Sequence, residues 1–347
     1  MKYKTVSYKG SKRKLLTDIL SLAEEIGAVS AIDAFSGTGI VAAHLRQNGI
    51  TVNANDLNPS SVLFASVFLV GYDEGTVKKY IEILNAITPK AGWLTQNYSG
   101  DVVRKVRGEK GLHSRPKAYS VENAKKIDAA RDFVEALEIP AKDKNALIFS
   151  IILASDKVFN NSNDQKSSFK VWSKAALTDI IFEMPTLISG PIGNCIKGDV
   201  LNATFPKADF VYLDPPYTTG VLYGAAYHIN DSIAIWDKPS LDHEYALARP
   251  DRAIFQGEGE TTGAFYSKKT AEIDFSNLIK KFDAKRIVLS YSDAPRNSIS
   301  IATLKKVAAK FGKVKVIKRN HKLCTQALSQ KKISEELKEY FLIVDKA

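Results

Sequence analysis

The sequence has little of what metal centres, disulfide frameworks and membrane spans require. It contains 2 cysteines, Cys195 and Cys324, too few for a disulfide framework or a cysteine zinc site. Its 5 histidines show no metal-ligand spacing, so we expect no bound metal. The longest apolar run, residues 62–70, is too short to span a bilayer. Residues 1–16 are polar and rich in lysine and lack a signal-peptide pattern, which favours a cytoplasmic location.

The composition is that of a folded protein with a polyanionic partner. The chain has 347 residues, more than one ordinary domain, and 45% of them are hydrophobic. The mean hydropathy of −0.15 is typical of a chain that buries a sizeable core. The net charge is +11 and the isoelectric point is near 9.3, which favours a polyanionic partner. We therefore expect one large α/β domain with a smaller inserted one.

A short apolar strand at residues 210–213 ends abruptly in Asp214-Pro215-Pro216-Tyr217. Prolines cannot donate to a sheet ladder, so the strand must stop there, at the edge where ligands bind in open α/β sheets. The Asp214 carboxylate and the Pro215 carbonyl can together accept both hydrogens of a planar amino group, and Tyr217 can stack on the attached ring. The pattern favours chemistry on the exocyclic amine of a nucleobase, with a tight turn as the alternative.

A glycine-rich turn precedes this motif. Residues 31–39 are typical of an apolar strand that runs into two closely spaced glycines, and a helix follows at residues 40–47. A second strand, residues 51–54, leads to Asp56, an acid that binds ribose hydroxyls in Rossmann-type sheets. The turn lacks the third glycine of the dinucleotide fingerprint. Because an adenosyl ligand needs no pyrophosphate cradle, the pattern favours S-adenosylmethionine over NAD.

The order of these motifs resembles that of the alpha-class, Dam-like adenine-N6 DNA methyltransferases. The resemblance covers roughly residues 5–75 and 190–345. Two positions depart from the family, because Tyr8 replaces the common tryptophan and Ser11 replaces the second glycine. The motifs, in order, are Tyr8-Lys9-Gly10-Ser11-Lys12, Phe35-Ser36-Gly37-Thr38-Gly39, Asn55-Asp56, Gly198-Asp199 and Asp214-Pro215-Pro216-Tyr217.

The resemblance implies a fold and a domain layout. The fold is α/β, a Rossmann-like methyltransferase sheet with helices on both faces and an inserted, mainly helical target-recognition domain. Residues 1–72 and 191–347 would form the catalytic, S-adenosylmethionine-binding domain, and residues 73–190 the DNA-binding insertion. The partner would be double-stranded DNA. A restriction–modification role is favoured, which would imply a cognate restriction endonuclease.

The resemblance also implies site residues. Asp214, Pro215, Pro216 and Tyr217 would be catalytic on an adenine flipped out of the duplex. Tyr8 and Lys12 would flank the methionine end of the cofactor, with Asp33 at its amino group, Asp56 at its ribose and Asp199 beside its adenine. The predicted cofactor-binding residues are Tyr8, Lys12, Asp33, Phe35, Gly37, Gly39, Asp56, Leu57, Asp199 and Val200.

Between the two catalytic segments, helical patterns at residues 75–87, 121–137 and 144–158 flank polar, basic stretches. A basic loop can capture DNA phosphates, although a solvated surface loop has the same composition. The second polar stretch, residues 160–170, carries side chains that can read base edges. After the proline motif, a flexible loop with Tyr227 is expected to close over the base, and Tyr291 is a further base-pocket candidate. The predicted DNA-binding residues are Arg104, Lys105, Arg107, Lys110, Arg115, Lys117 and Tyr223.

Three other functions remain open at this point. A cytosine-N4 DNA methyltransferase uses the same geometry on another exocyclic amine, but more often carries serine at the position of Asp214. RNA base methylation fits the order of motifs less well. A non-catalytic DNA-binding subunit could keep the fold, but the intact acids Asp56 and Asp214 argue against a decayed site.

Overall fold

The computed structural model describes residues 3–8, 10–100, 118–160, 165, 172–216, 226–240, 265, 267–294, 297–320 and 338–346. Two compact units are present. The sheet unit consists of Gly10–Val70, Ile188–Tyr223 and Gly257–Ala347, and the helical unit of Met1–Lys9, Gly71–Leu187 and Gly224–Gln256. The helical unit therefore contains most of the predicted insertion together with two further segments, one of them at the amino terminus.

The helices and strands alternate in the sheet unit, whereas helices predominate in the other. In chain order the elements are α1 (Leu16–Glu24), β1 (Ser30–Asp33), α2 (Ile40–Gln47), β2 (Thr51–Asp56), α3 (Pro59–Val70), α4 (Glu74–Ala86), α5 (Trp93–Tyr98), β3 (Ser99–Gly100), β4 (Tyr119–Ser120), α6 (Val121–Glu135), α7 (Ala141–Lys157), a 3₁₀ turn (Ala175–Leu177), β5 (Asn194–Lys197), β6 (Ala208–Leu213), α8 (His228–Ile235), α9 (Ala271–Lys281), β7 (Ala284–Ser292), α10 (Ile301–Ala308), β8 (Lys313–Asn320) and β9 (Lys338–Asp345).

The sheet has seven strands in the order β5-β2-β1-β6-β7-β9-β8. Neighbours from β5 to β7 pair in parallel, and β9 is antiparallel to both β7 and β8. The predicted Rossmann-like sheet is confirmed. The carboxyl ends of six strands, all but β9, and the amino end of β9 therefore share one edge. Between β1 and β6 the strand order reverses, which is where ligands bind in such sheets.

Alternating side chains bury the two faces of the sheet. On one face, residues such as Ile32, Val211 and Leu342 form a continuous core with α9 and α10. The intervening strand residues point the other way, where α2 and α3 pack on β1, β2 and β5. No helix in the described part of the chain is long and apolar enough to cross a membrane.

The two ends of the inserted segment Gly71–Leu187 are held together where α3 and β5 of the sheet unit meet. The chain leaves after α3 and returns before β5, where the N–H of Gly193 donates to the carbonyl of Leu69 at 3.0 Å. The buried Arg46 guanidinium donates to the carbonyls of Phe68, Gly190 and Pro191. A β-carbon on Gly193 would collide with the Val52 carbonyl, so only glycine fits this crossing.

The described part of the helical unit contains two helices, α5 and α8, that the sequence pattern did not predict. Tyr227 was expected in a flexible loop, but it is buried and directly precedes α8. Gln165 accepts from the N–H groups of Ile229 and Asn230 and donates to the Asn230 side chain. These bonds satisfy polar groups in the first turn of α8, which explains how polar residues there are buried.

Candidate active site

The glycine-rich turn between β1 and α2 is tied to the acid at the end of β2. Gly37 has φ 50° and Gly39 has φ 73°, both in the left-handed region that favours glycine. The N–H of Gly37 donates to Asp56 Oδ2 at 2.8 Å, and Asn58 N–H donates to Oδ1 at 2.9 Å. A β-carbon on Gly39 would lie 3.0 Å from the Cα of Ala65. Gly39 therefore serves the packing of α2 on α3 as well as the turn.

Asp33 ends β1 as a buried carboxyl group with 1% exposure. Its Oδ2 accepts from the N–H of Ala42 at 3.2 Å, and its Oδ1 has no hydrogen-bond partner among the described residues. Burial, and next the charge of Asp214, raise the pKa of Asp33 to about 8. In the described part of the chain, Asp33 is therefore an acceptor without a cationic partner.

Asp214 follows β6 at the same edge of the sheet. Its Oδ2 lies 3.0 Å from Lys12 Nζ in a pair that is largely buried, with side-chain exposures of 20% for Asp214 and 8% for Lys12. Within the described chain, no hydrogen bond reaches the other carboxylate oxygen. Burial raises the pKa of Asp214 to about 6, against the opposing effect of Lys12. One oxygen is thus anchored and the other is available as an acceptor.

The structure adds two residues to this cluster that the sequence did not indicate. Glu339, at the amino end of β9, lies 3.2 Å from Lys12 Nζ through its Oε1. Ser290 on β7 donates its hydroxyl to the same Oε1 at 2.5 Å. The sequence indicated the neighbouring Tyr291 instead. Tyr291 is fully buried in the core and its hydroxyl donates to the Ile299 carbonyl, so its ring does not face a base.

The other predicted cofactor residues in the sheet unit surround the same edge. Phe35 packs edge-to-face on Phe265, with ring centroids 5.6 Å apart. Leu57, directly after β2, is 53% exposed, which is unusual for a leucine beside a core strand. Val200 is buried in the core. Asp199 is exposed, and its carboxylate accepts from the Leu201 N–H and the Asn202 amide.

The arrangement fits an adenosyl cofactor with a charged amino-acid end. The unpartnered Oδ1 of Asp33 suits an ammonium group. Each oxygen of Asp56 accepts from one backbone N–H, and a carboxylate oxygen has a further lone pair that can accept from a ribose hydroxyl. The exposed Leu57 can cover an adenine face. Within the described chain, no group of three or more His, Cys, Asp or Glu side chains could hold a metal ion.

Some predicted site residues belong to the helical unit or lie outside the described residues. Tyr8 belongs to the helical unit, where its ring stacks on Tyr227 with centroids 4.3 Å apart. The residues outside the described ranges are Arg104, Lys105, Arg107, Lys110, Arg115, Lys117, Tyr217 and Tyr223.

Comparisons with known proteins identify the family. The model of the D12 class N6 adenine-specific DNA methyltransferases matches residues 8–287. The type II methyltransferase M.NlaIII of Neisseria lactamica is 26% identical over 330 positions, covering 91% of this chain and 92% of that protein. The type II methyltransferase M.CviAII of Paramecium bursaria Chlorella virus 1 is 23% identical over 348 positions, covering 98% of each. The modification methylase StsI of Streptococcus sanguinis is 24% identical, covering 82% of this chain and 44% of that protein.

The match decides the question that the sequence left open between two exocyclic amines, in favour of adenine. The predicted enzyme class and cofactor are confirmed. The chain belongs to the D12 class N6 adenine-specific DNA methyltransferases, enzymes that transfer a methyl group from S-adenosylmethionine to the N6 amino group of adenine in DNA.

Proposed function

We propose that Asp214 and the carbonyl of Pro215 hold the two hydrogens of the adenine amino group during methyl transfer. The observation that carries this proposal is the half-satisfied carboxylate of Asp214 at the point where the strand order reverses. Lys12 fixes one oxygen at 3.0 Å, and no donor among the described residues reaches the other. Pro216 ends the strand, and Tyr217 stacks on the base.

The target adenine must leave the duplex, because its amino group is otherwise paired. Two acceptors on the amino hydrogens draw the nitrogen lone pair out of conjugation with the ring. Positive charge develops on that nitrogen during attack, so a preorganised carboxylate stabilises the transition state more than the ground state. When bound, S-adenosylmethionine supplies the methyl group as a sulfonium. Asp214 is then hydrogen-bonded to the amine that must lose a proton.

The cofactor-binding roles follow the positions at the sheet edge. Asp33 accepts from the amino group of the methionine moiety, and Asp56 from the ribose hydroxyls. The supporting observations are the unpartnered oxygen of Asp33 and the position of Asp56 across the glycine-rich turn. Tyr8 and Lys12 contact the methionine end. The remaining cofactor pocket residues are Phe35, Gly37, Gly39, Leu57, Asp199 and Val200.

We further propose that the enzyme acts on specific sites in double-stranded DNA, in the cytoplasm, as the modification partner of a restriction endonuclease. The names of its relatives, two type II methyltransferases and a modification methylase, support this role. Residues 73–190 supply recognition, with phosphate contacts from the basic stretch around Arg104, and Tyr223 contacts the DNA near the flipped base. Sequencing methylated DNA would identify the site. An endonuclease from the same organism that cuts this site only when it is unmethylated would establish that the two enzymes form a restriction–modification pair.

The catalytic assignment is tested with labelled S-adenosylmethionine, duplex DNA and nucleoside analysis of the product. The wild-type enzyme should form N6-methyladenine. Asp214→Asn should lower the rate by about 10²–10³-fold, while binding of S-adenosylhomocysteine persists, because the carboxylate that is removed faces the base. Asp293→Asn is the matched control, since it removes an exposed carboxylate that contacts Lys338 and Tyr340. Near wild-type methylation by Asp214→Asn would disprove the assignment.

A further inference from the structure

The buried Glu339 has no place in the chemistry described so far, yet it is part of the same cluster of charges as Asp214. Its side chain is 6% exposed and shares Lys12 Nζ with Asp214, at 3.2 Å and 3.0 Å respectively. Ser290 donates to the oxygen that faces Lys12, and Lys12 also donates to the carbonyl of Gly10 at 3.3 Å. Because β9 runs antiparallel to β7, its amino end lies at the carboxyl edge of the parallel strands.

One ammonium between two carboxylates leaves a net charge of about −1 on the three side chains. If Lys12 faced Asp214 alone, the pair would be neutral, and the field that stabilises a cationic amine would be weaker. We propose that Glu339 is a positioning residue for methyl transfer: it holds Lys12 in place and offsets its charge, so that Asp214 presents net negative charge to the reacting amine. This inference rests on the role proposed for Asp214.

The same arrangement controls the protonation of Asp214. Burial raises its pKa, Lys12 lowers it, and Glu339 raises it. Removing the Glu339 charge leaves Lys12 unopposed, so the pKa of Asp214 falls and the carboxylate persists to lower pH. The charged and titratable groups that face Asp214 from the surrounding elements are Lys12, Asp33, Tyr212 and Glu339.

The test is Glu339→Gln, which keeps an oxygen acceptor for Ser290 and Lys12 but removes the charge. Single-turnover methyl transfer is measured across pH with saturating cofactor, at saturating DNA for the plateau rate and at subsaturating DNA for the acid limb, which then reports ionisation before DNA binds. We expect the plateau rate to fall about ten-fold and the acid-limb midpoint to move down by about one pH unit. The affinity for DNA should stay at the wild-type value. Asp293→Asn, at the same edge of the sheet, should change neither rate nor midpoint.

A purely structural role for Glu339 predicts lower thermal stability with an unmoved acid limb, and that result would overturn the inference. If Glu339→Gln does not fold, Glu339→Asp is tested instead. It keeps the negative charge, but its side chain is one methylene shorter, so the carboxylate lies farther from Lys12. That variant should lower the plateau rate with the affinity for DNA unchanged, and a wild-type plateau rate would contradict the proposal. The experiments distinguish an error in the role of Glu339 from an error in the role proposed for Asp214. If Asp214→Asn is inactive while Glu339→Gln is fully active with a wild-type pH profile, only the role of Glu339 is wrong.

Discussion

Asp33 is the last residue of β1, and Asp214 comes directly after the adjacent parallel strand β6. The two carboxyl groups therefore lie at the same edge of the sheet. Burial and the charge of Asp214 raise the pKa of Asp33 to about 8, so Asp33 carries a proton in the free enzyme at neutral pH. An ammonium group beside Asp33 reverses that preference, because an adjacent positive charge favours the carboxylate.

Cofactor binding should therefore release protons. Titration calorimetry of S-adenosylhomocysteine at pH 7, in buffers of different ionisation enthalpy, should give about one proton released per site. The number should shrink as the pH rises through 8, where Asp33 is already ionised in the free enzyme. Asp33→Asn should bind more weakly and release none, whereas Asp293→Asn should behave as wild type. Tight binding by the wild-type enzyme without proton release would remove Asp33 from the amino-group site.

Methyltransferase activity should fall at acidic pH because Asp214 becomes protonated. Only the ionised carboxylate accepts both from Lys12 and from the adenine amine, and burial raises its pKa to about 6. At saturating cofactor, kcat/KM for DNA should therefore be constant above this pH and decline below it, because this quantity reports ionisation before DNA binds. A profile that stays flat to pH 4.5, while the fold remains intact by circular dichroism, would contradict the assignment.

Asp56 should affect both cofactor affinity and stability, because it is proposed to bind ribose and also accepts from Gly37 and Asn58. Asp56→Ala should weaken cofactor binding by about 1.5–3 kcal/mol, the order of a charge-assisted hydrogen bond, and should lower the melting temperature. Asp56→Asn retains one oxygen acceptor and should lose less of both. Calorimetry and thermal melts measure the two effects, and an unchanged Kd in Asp56→Ala would exclude the ribose contact.

Neutralising Arg104, Lys105 and Arg107 together should weaken binding to all DNA sequences alike. The slope of log affinity against log salt should become shallower by about 0.9 for each phosphate that the variant no longer neutralises. Cofactor affinity should not change, because the proposed cofactor pocket is built mainly from the sheet unit. A triple glutamine variant with wild-type DNA affinity and salt slope would favour a solvated loop and direct attention to residues 160–170.

Patterns within a few residues predicted much of the sheet edge. The apolar run before Asp214 and the acid Asp56 at the end of β2 each mark a strand end by local chemistry, and the structure ends the strands there. Parallel pairing then places these ends together, because strands of this kind share one carboxyl edge. The resemblance to the methyltransferase family was recognised from the order of these local motifs alone.

Contacts between distant segments were not predictable in the same way. Glu339 and Ser290 meet only because of the antiparallel register of β7 and β9, which no periodicity encodes. The short helix α5 begins with N–H groups that donate to Asp128, more than thirty residues along the chain. The polar first turn of α8 is buried because Gln165 satisfies it. In each case a side chain from another segment provides the hydrogen bonds that a local pattern cannot show.

The fixed base of the insertion has a consequence for how such enzymes diversify. Gly193 is hydrogen-bonded to Leu69, and the Arg46 guanidinium donates to carbonyls both before and after the inserted segment. The segment Gly71–Leu187 therefore begins and ends at neighbouring positions of the sheet unit. A replacement segment of another length must meet this closure and provide new contacts to α8, which Gln165 contacts here. The entropy of closing a longer loop grows only slowly with its length. If this segment supplies DNA recognition, as proposed above, exchanging it would change the DNA specificity while the strands of the sheet unit stay the same.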